Sequence, residues 1–521
     1  MAVRMRRSAL TRRRLLVAGA AAGVTLGSGI ARPYLSRAAD RPRITHGVQS
    51  GDVTADSAMV WARTDRPARM QVEVATSESF VDIRSGTQVD VLPESDFAAK
   101  VLLDDLPAGA DVFYRVRFQD LAEPTIVGEP MTGHFRTAPD APRSLSFVWS
   151  GDTAGQGWGI DEGRGGMRTY ATMLRNRPDF FIHSGDTIYA DCTIAPTQPM
   201  PDGGTWRNLV TEEKSRSAET LADFRGNYKY NLLDANLRAF NAEVPMFAQW
   251  DDHEVRDDWG PAEIAREEVR RDLLLLAARG CRAFHEFMPT RQSAAEPGRV
   301  YRKIAYGPLL DVFMLDMRSY RGPNGSVAPK PCGPAAPLLG PKQIAWLKRE
   351  LKASRATWKV IAADLPLGIA SGDAIGFGDG PPCGRELEIA DLLAFIRRAQ
   401  IHNTLWITAD VHYTAAHHYD PGRAQFQDFD PFWEFVSGPI HAGTWWPSDL
   451  DNTFGPRVIF HKGSTFERGG NLPPSDGLQF FGHVAIDGST RVMTVTLKDV
   501  GDNALWSIDL APEPAAKPGA S

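Results

Sequence analysis

The chain has 521 residues, 43% hydrophobic and 23% charged, which supports a large buried core and excludes a disordered polymer. A formal net charge of −6 and a pI near 6.1 exclude global attraction to nucleic acid or to an anionic membrane surface. A phosphate-bearing ligand therefore has to be met by local positive charge, bound cations included.

In chain order, residues 1–39 come first, with a basic leader, a glycine-diluted apolar stretch and a small-residue site near Ser36-Arg37-Ala38. Within them "TRRRLLV" is similar to a twin-arginine export signal, Arg12 and Arg13 forming the pair. The apolar run from Leu15 to Ile30 falls short of the roughly 18 uncharged residues of a membrane span. The expectation is delivery by the twin-arginine machinery to the periplasm or the extracellular space, with no stable membrane anchor.

Residues 40–137 carry short alternating runs, "SAMVWART", "MQVEVAT", "AKVLLDDL" and "VFYRVRF", separated by turn residues, and predict a small antiparallel β-sandwich. After the linker "TAPDAPRS", residues 143–510 alternate apolar strands with helical patterns, the signature of an α/β layered catalytic domain. Residues 511–521, "APEPAAKPGAS", read as a disordered tail. The four cysteines form no C-x-x-C pair, which argues against a structural zinc site. Cys332 in "KPCGP" and Cys383 in "PPCGR" sit in Pro/Gly loops and are the expected disulfide pair in an oxidising compartment; Cys192 and Cys281 remain.

The ends of the apolar strands carry the chemistry. They run into Asp152, Asp186, Asp252 with His253, Asp316, Asp364, and Asp410 with His412. An Asp after a strand often caps the next helix. Capping explains neither the histidines nor six repetitions, and ligand sites in open α/β sheets gather at the carboxyl ends of strands. Crowded carboxylates repel unless cations compensate them. Two ions about 3.5–4 Å apart can share a carboxylate, turn a bound water into a hydroxide nucleophile and neutralise a phosphoryl group in flight.

The blocks "SGDTAGQG", "HSGDTIYAD", "WDDHE" and "TADVH", in this order, resemble those of calcineurin-like metallophosphoesterases, and G-D-x-x-Y resembles the purple acid phosphatase branch. "HGVQSGDVTADSAMVWART", "DDHEV", "LDMRSYR" and "ADVH" resemble the alkaline phosphatase D family over nearly the whole mature chain. That resemblance implies an exported, metal-dependent phosphoric ester hydrolase, acting on monoesters or diesters, with a metallophosphoesterase sandwich domain behind the small N-terminal sandwich. It implies Asp186 as the carboxylate bridging two metals, with Asp152, Tyr189 and His412 beside it on iron(III). It implies Asp252, Asp364 and Asp410 at a second site where carboxylates favour calcium, and His253 at the substrate phosphate or leaving group. Zinc or manganese would be tolerated in such an oxygen and nitrogen shell. The family's cysteine in the first block is absent here, and Asp152 is its natural substitute.

Arg318 lies just past a strand end, where its guanidinium fork would match phosphate oxygens; a salt bridge to Asp316 is the competing reading. His417 and His418 rival His412, while His183, His285 and His441 are expected to pack. Glu254 is expected outside the ligand set. Trp158, Trp445 and Trp446 are candidates for the cleft wall. An exported carbohydrate-binding or structural β-sandwich protein would explain the N-terminal strands but not the strand-end carboxylates. A zinc hydrolase of the H-E-x-x-H kind fails because position 257 is Asp.

Overall fold

The computed structural model describes residues 41–261, 267–322, 336–370 and 374–513. The expected signal at 1–39, Cys332 and most of the expected tail lie outside the described residues.

Two large sheets organise the chain. The nine-stranded sheet runs Ala504–Leu510, Met493–Asp499, Phe480–Ile486, Leu145–Ser150, Phe180–Ser184, Met246–Gln249, Ile44–Gly51, Ala58–Thr64, Ala98–Leu103. The seven-stranded sheet runs Arg302–Tyr306, Leu310–Met314, Trp358–Ala362, Thr404–Thr408, Phe432–Val436, Thr414–Tyr419, Pro456–Lys462. Three neighbouring strands at the centre of each are parallel: Leu145–Ser150, Phe180–Ser184 and Met246–Gln249 in the first, Leu310–Met314, Trp358–Ala362 and Thr404–Thr408 in the second.

Side-chain alternation explains why these runs are mostly apolar, with polar residues such as Ser146, Asp311 and Lys359 near their starts. Phe147, Trp149, Phe180, Ile182 and Phe247 share one core with Val312, Val360 and Leu405, so both sheets contribute to it. The intervening Val148, Phe181 and Ala248 pack with Phe224 and Phe240 of helices Leu221–Asn231 and Ala235–Glu243. Likewise Phe313, Ile361 and Trp406 pack with Leu347 and Leu393 of helices Gly340–Ala353 and Glu386–Arg398. Strands buried on both faces have few polar positions until they end. Phe180 is stacked between Phe147 and Phe247, with ring centroids at 4.9 and 4.5 Å, which fixes the spacing of the three strands that carry the first ligands.

The N-terminal region forms the antiparallel layers its alternation predicts, but they do not stand alone. A four-stranded sheet, Ile83–Val91, Ala68–Ala75, Asp111–Asp120, Met131–Arg136, shares its core with strands that extend the nine-stranded sheet. The junction is a parallel pairing of Gly51 with Met246. Asp52, directly after it, takes the Arg302 guanidinium on both oxygens at 2.7 and 2.8 Å, which ties the first strand to the second large sheet. Cys383 is disulfide-bonded, and Cys192 and Cys281 are free.

Candidate metal centre

The parallel strands of both sheets end on the same side of the molecule, and the backbone turns sharply there. Asp152, Asp186, Asp410 and His412 all have left-handed backbone, with φ of 68, 52, 64 and 59°. Such conformations cost on the order of 1 kcal/mol or more each for a residue with a Cβ, and they persist where the surroundings impose them. Gly185 and Gly438 make the approach close: a Cβ on Gly185 would fall 2.5 Å from the Cβ of Asp251, and one on Gly438 would fall 2.2 Å from Asp152 Oδ2.

Three groups share members. Asp152, Asp186 and His412 present ligand atoms within 4.8 Å of one another; so do Asp186, Asp252 and His253, and Asp251, Asp252 and Asp410. Asp186 joins the first group to the second, and Asp252 joins the second to the third. Tyr189, fully buried, points its hydroxyl at His412 Nε2 at 2.8 Å, and His412 Nδ1 is bonded to the Gly443 carbonyl.

The residues fit a cation. Both carboxylate oxygens of Asp152 are buried without a hydrogen-bond partner, and so are both of Asp364 and Oδ2 of Asp251. Burial raises the pKa of the Asp152 and Asp186 carboxyl groups well above the ordinary carboxylate range. Burial and the neighbouring Asp186 and Asp152 raise that of Tyr189. Burial pushes His412 down to about 4, which leaves it neutral and able to offer a lone pair. Unpartnered buried carboxylate oxygens are costly unless a cation satisfies them, and this set of oxygens with one imidazole suits a hard or borderline ion.

His253 is arranged differently. Its Nδ1 faces Asp191 Oδ1 at 2.7 Å, its ring lies 4.3 Å from that of Tyr189, and its Nε2 faces Asp257 at 3.6 Å. Burial opposes its protonation, but the charges of Asp252, Asp186 and Asp191 outweigh burial and hold its pKa well above the ordinary value. Asp191 is opposed by burial too, yet the His253 charge and hydrogen bonds bring it down to about 2.

Arg318, expected at the substrate phosphate, lies among carboxylates. Its guanidinium is fully buried, bonded through Nε to Asp251, 3.4 Å from Asp364, 3.5 Å from Asp410 and 3.7 Å from Asp252. In this arrangement its guanidinium is engaged by carboxylates rather than open to solvent. Asp316, its competing partner, accepts instead from Trp250 Nε1, Ser319 and the Arg318 peptide.

Glu254 is a strut rather than a bystander. Buried, it accepts from the peptide and hydroxyl of Thr187 and from the peptide of Asp251, so it locks the Asp186 loop to the Asp251 loop. Burial lifts it to about 7. Lys214, also buried, donates to the Tyr189 carbonyl and to Asn227, fixing the tyrosine from behind. Neither Lys214 nor the orienting role of Asp191 had a sequence signal beyond the proximity of Asp191 to Tyr189. His417 bonds Glu434, His418 packs on Trp433, His183 bonds Thr153 and His441 bonds Gly159, so these four lie on other partners. Trp158 is buried against Trp206 and bonds Asn471, away from any wall, whereas Trp445 is partly open.

Acidic strand ends converge on cation-seeking groups at one edge of two layered sheets, an arrangement suited to cation-assisted hydrolysis. The model of the PhoD-like phosphatase family matches residues 147–497, and that of the PhoD-like phosphatase N-terminal domain matches residues 29–139. The chain belongs to the PhoD-like phosphatases. It is 27% identical over 460 residues to alkaline phosphatase D of Bacillus subtilis (strain 168), covering 82% of this chain and 74% of that protein. A solved structure of PhoD has the same fold, with a TM-score of 0.68 and 21% identity over 92% of this chain and 90% of that one. A purple acid phosphatase from yellow lupin (Lupinus luteus) seeds aligns with a TM-score of 0.55 and 11% identity over 92% and 78%.

Proposed function

We propose that the chain is an exported alkaline phosphatase or phosphodiesterase whose centre holds two or more metal ions. The observation that carries this reading is the membership of Asp186 in two adjacent groups of buried ligand atoms. Asp152, Asp186, Tyr189 and His412 would hold one ion, iron(III) being favoured by the phenol and carboxylates. Asp252, Asp364 and Asp410 would hold a second, with Asp186 between them, and calcium suits this all-oxygen set. Ions bound there supply Lewis acidity, which acidifies water and neutralises charge on the phosphoryl group.

The chain's own side chains do the remainder. His253, held at Nδ1 by Asp191, keeps its proton on Nε2 for the leaving-group oxygen or a phosphate oxygen. Arg318 serves as an internal countercharge for the carboxylates around it rather than as a substrate contact. The two-sheet layering is proposed as the metallophosphoesterase sandwich, with residues 40–137 as an N-terminal unit fused to its edge. Export by the twin-arginine route to the periplasm or beyond follows from residues 1–39. No helix among the described residues is long and apolar enough to cross a membrane.

The test is elemental analysis of the purified full chain alongside hydrolysis of a simple phosphomonoester and a simple phosphodiester. Metal-dependent hydrolysis of either supports the reading, and no hydrolysis of both by the metal-loaded protein overturns it. Iron(III) on Tyr189 would also give a visible absorption band that is lost in Tyr189→Phe.

A further inference from the structure

The backbone that fixes His412 continues into aromatic side chains open to solvent. Gly443 accepts from His412 Nδ1, and the Trp445 peptide donates to the His412 carbonyl at 3.1 Å. Thr444 pairs with Leu472, and the Ser464 peptide donates to the Trp445 carbonyl at 2.9 Å, so the segment is pinned from both sides. On this frame Trp445 is 36% exposed and Phe466 76% exposed. The ring centroids of Trp445 and Trp446 are 5.6 Å apart, and those of Trp446 and Phe466 5.5 Å.

Trp445 is positioned rather than loose. Its indole lies against Gly470, where a Cβ would fall 2.1 Å from the ring, and its Nε1 faces Gln156 Oε1 at 3.5 Å. Gln156 belongs to the loop that follows Asp152, and Gly155 beside it lies against the Tyr189 ring, where a Cβ would fall 2.4 Å away. The loop after Asp152 therefore touches both the candidate ligand Tyr189 and the aromatic row. Single exposed apolar residues need no explanation, but two exposed rings joined through the half-buried Trp446 make a continuous aromatic face at the surface.

We infer that Trp445, Trp446 and Phe466 form a stacking shelf for a planar aromatic group in the organic part of the phosphate ester, whether an aryl ring or a nucleobase. The inference rests on the phosphoesterase reading and adds the substrate class. Flat π faces at an exposed rim stack on other flat π faces, which a saturated polyol does not offer. A shelf whose backbone is already fixed also loses little freedom when it is occupied.

The experiment compares KM for phenyl phosphate, adenosine 5′-monophosphate and glycerol phosphate in the metal-loaded full chain. Phe466→Ala and Trp446→Ala are expected to raise KM for one or both aromatic esters by roughly five- to tenfold relative to glycerol phosphate, the loss of one stacking partner. Phe466→Tyr should retain the wild-type preference. A shift confined to the nucleotide identifies a base as the occupant, and one confined to phenyl phosphate identifies an aryl leaving group. The shelf is rejected if the three KM values move together, or if none moves in the Phe466 variant, whose exposure makes a folding defect an inadequate excuse. Hydrolysis by the wild type of neither these three monoesters nor a simple phosphodiester would remove the phosphoesterase reading together with the shelf; hydrolysis with unmoved selectivity removes the shelf alone.

Discussion

The two halves of the centre, one with two carboxylates and one with four, balance their acidity in different ways. Around Asp152, Asp186, Tyr189 and His412 no lysine or arginine among the described residues pairs with Asp152, and its oxygens have no hydrogen-bond partner. Around Asp251, Asp252, Asp364 and Asp410 the chain inserts its own cation, Arg318, within 3.7 Å of each carboxylate. The difference teaches that the first half has only the His253 charge nearby, whereas the second is partly neutralised by an arginine before any ion arrives and still keeps unpartnered oxygens on Asp364 and Asp251. Folding of the second half is protected by the arginine; the first half is where metal binding should couple most strongly to stability.

The largest expected effect comes from the residue common to both groups. Asp186→Ala removes a buried anion from between two cation sites and should weaken ion affinity by about 3–5 kcal/mol, a factor on the order of 10²–10³, with hydrolysis falling to background. Elemental analysis after gel filtration checks this, and unchanged metal content contradicts the bridging assignment. The comparison itself is sharpened by Arg318→Met. Loss of the internal cation should destabilise the metal-free protein by roughly 3–5 kcal/mol, because Asp251 is left buried and unpaired, and added calcium should recover part of the loss. Thermal unfolding with and without the ion reads both effects; an unaltered midpoint means that Arg318 is not a countercharge.

His253 tests chemistry rather than charge balance. His253→Ala should keep its metals and lose about 10²–10⁴ in kcat, and Asp191→Asn about 10–100-fold, since the second residue acts only through the first. An Asp191 variant with the wild-type pH profile would exclude the orienting role.

The smallest effect lies away from both halves. His285 is buried and pushed down to about 4, so between pH 6.5 and 4 the unfolded chain binds a proton that the folded one refuses. Stability from this source is therefore lost as pH falls through that window. His285→Phe should flatten the acid limb by on the order of 2 kcal/mol or less, seen as a smaller drop in Tm from pH 7 to pH 4.

The strands ending on acids were legible because burial on both faces leaves an uninterrupted apolar run, and the first polar residue after it is then conspicuous, as with "DFFIHSGD". Of the three rival histidines, His417 and His418 lie on strand Thr414–Tyr419 against Glu434 and Trp433, whereas His412 lies in the turn before it, beside Tyr189. The carboxylates around Arg318 were not legible, because sequence gives its position past a strand but not the direction of a flexible side chain, and these four come from three other strand ends. Glu254 and Lys214 were invisible as struts for a similar reason: their partners, Thr187 and Asn227, acquire meaning only once the loops meet. The N-terminal strands read correctly as antiparallel, yet their continuity with the larger sheet rests on the contact of Gly51 with Met246, which no periodicity announces.

The central claim, that the half built on Asp152 and Asp186 requires an external ion, is tested most directly by measuring bound metal and phosphate ester hydrolysis in one preparation of wild type and Asp152→Asn. The account predicts stoichiometric metal and hydrolysis in the wild type, loss of both on chelation, recovery of both on reloading, and a marked deficit of metal in the variant. Full hydrolysis by a wild-type preparation free of metal, or undiminished metal in Asp152→Asn, would contradict it.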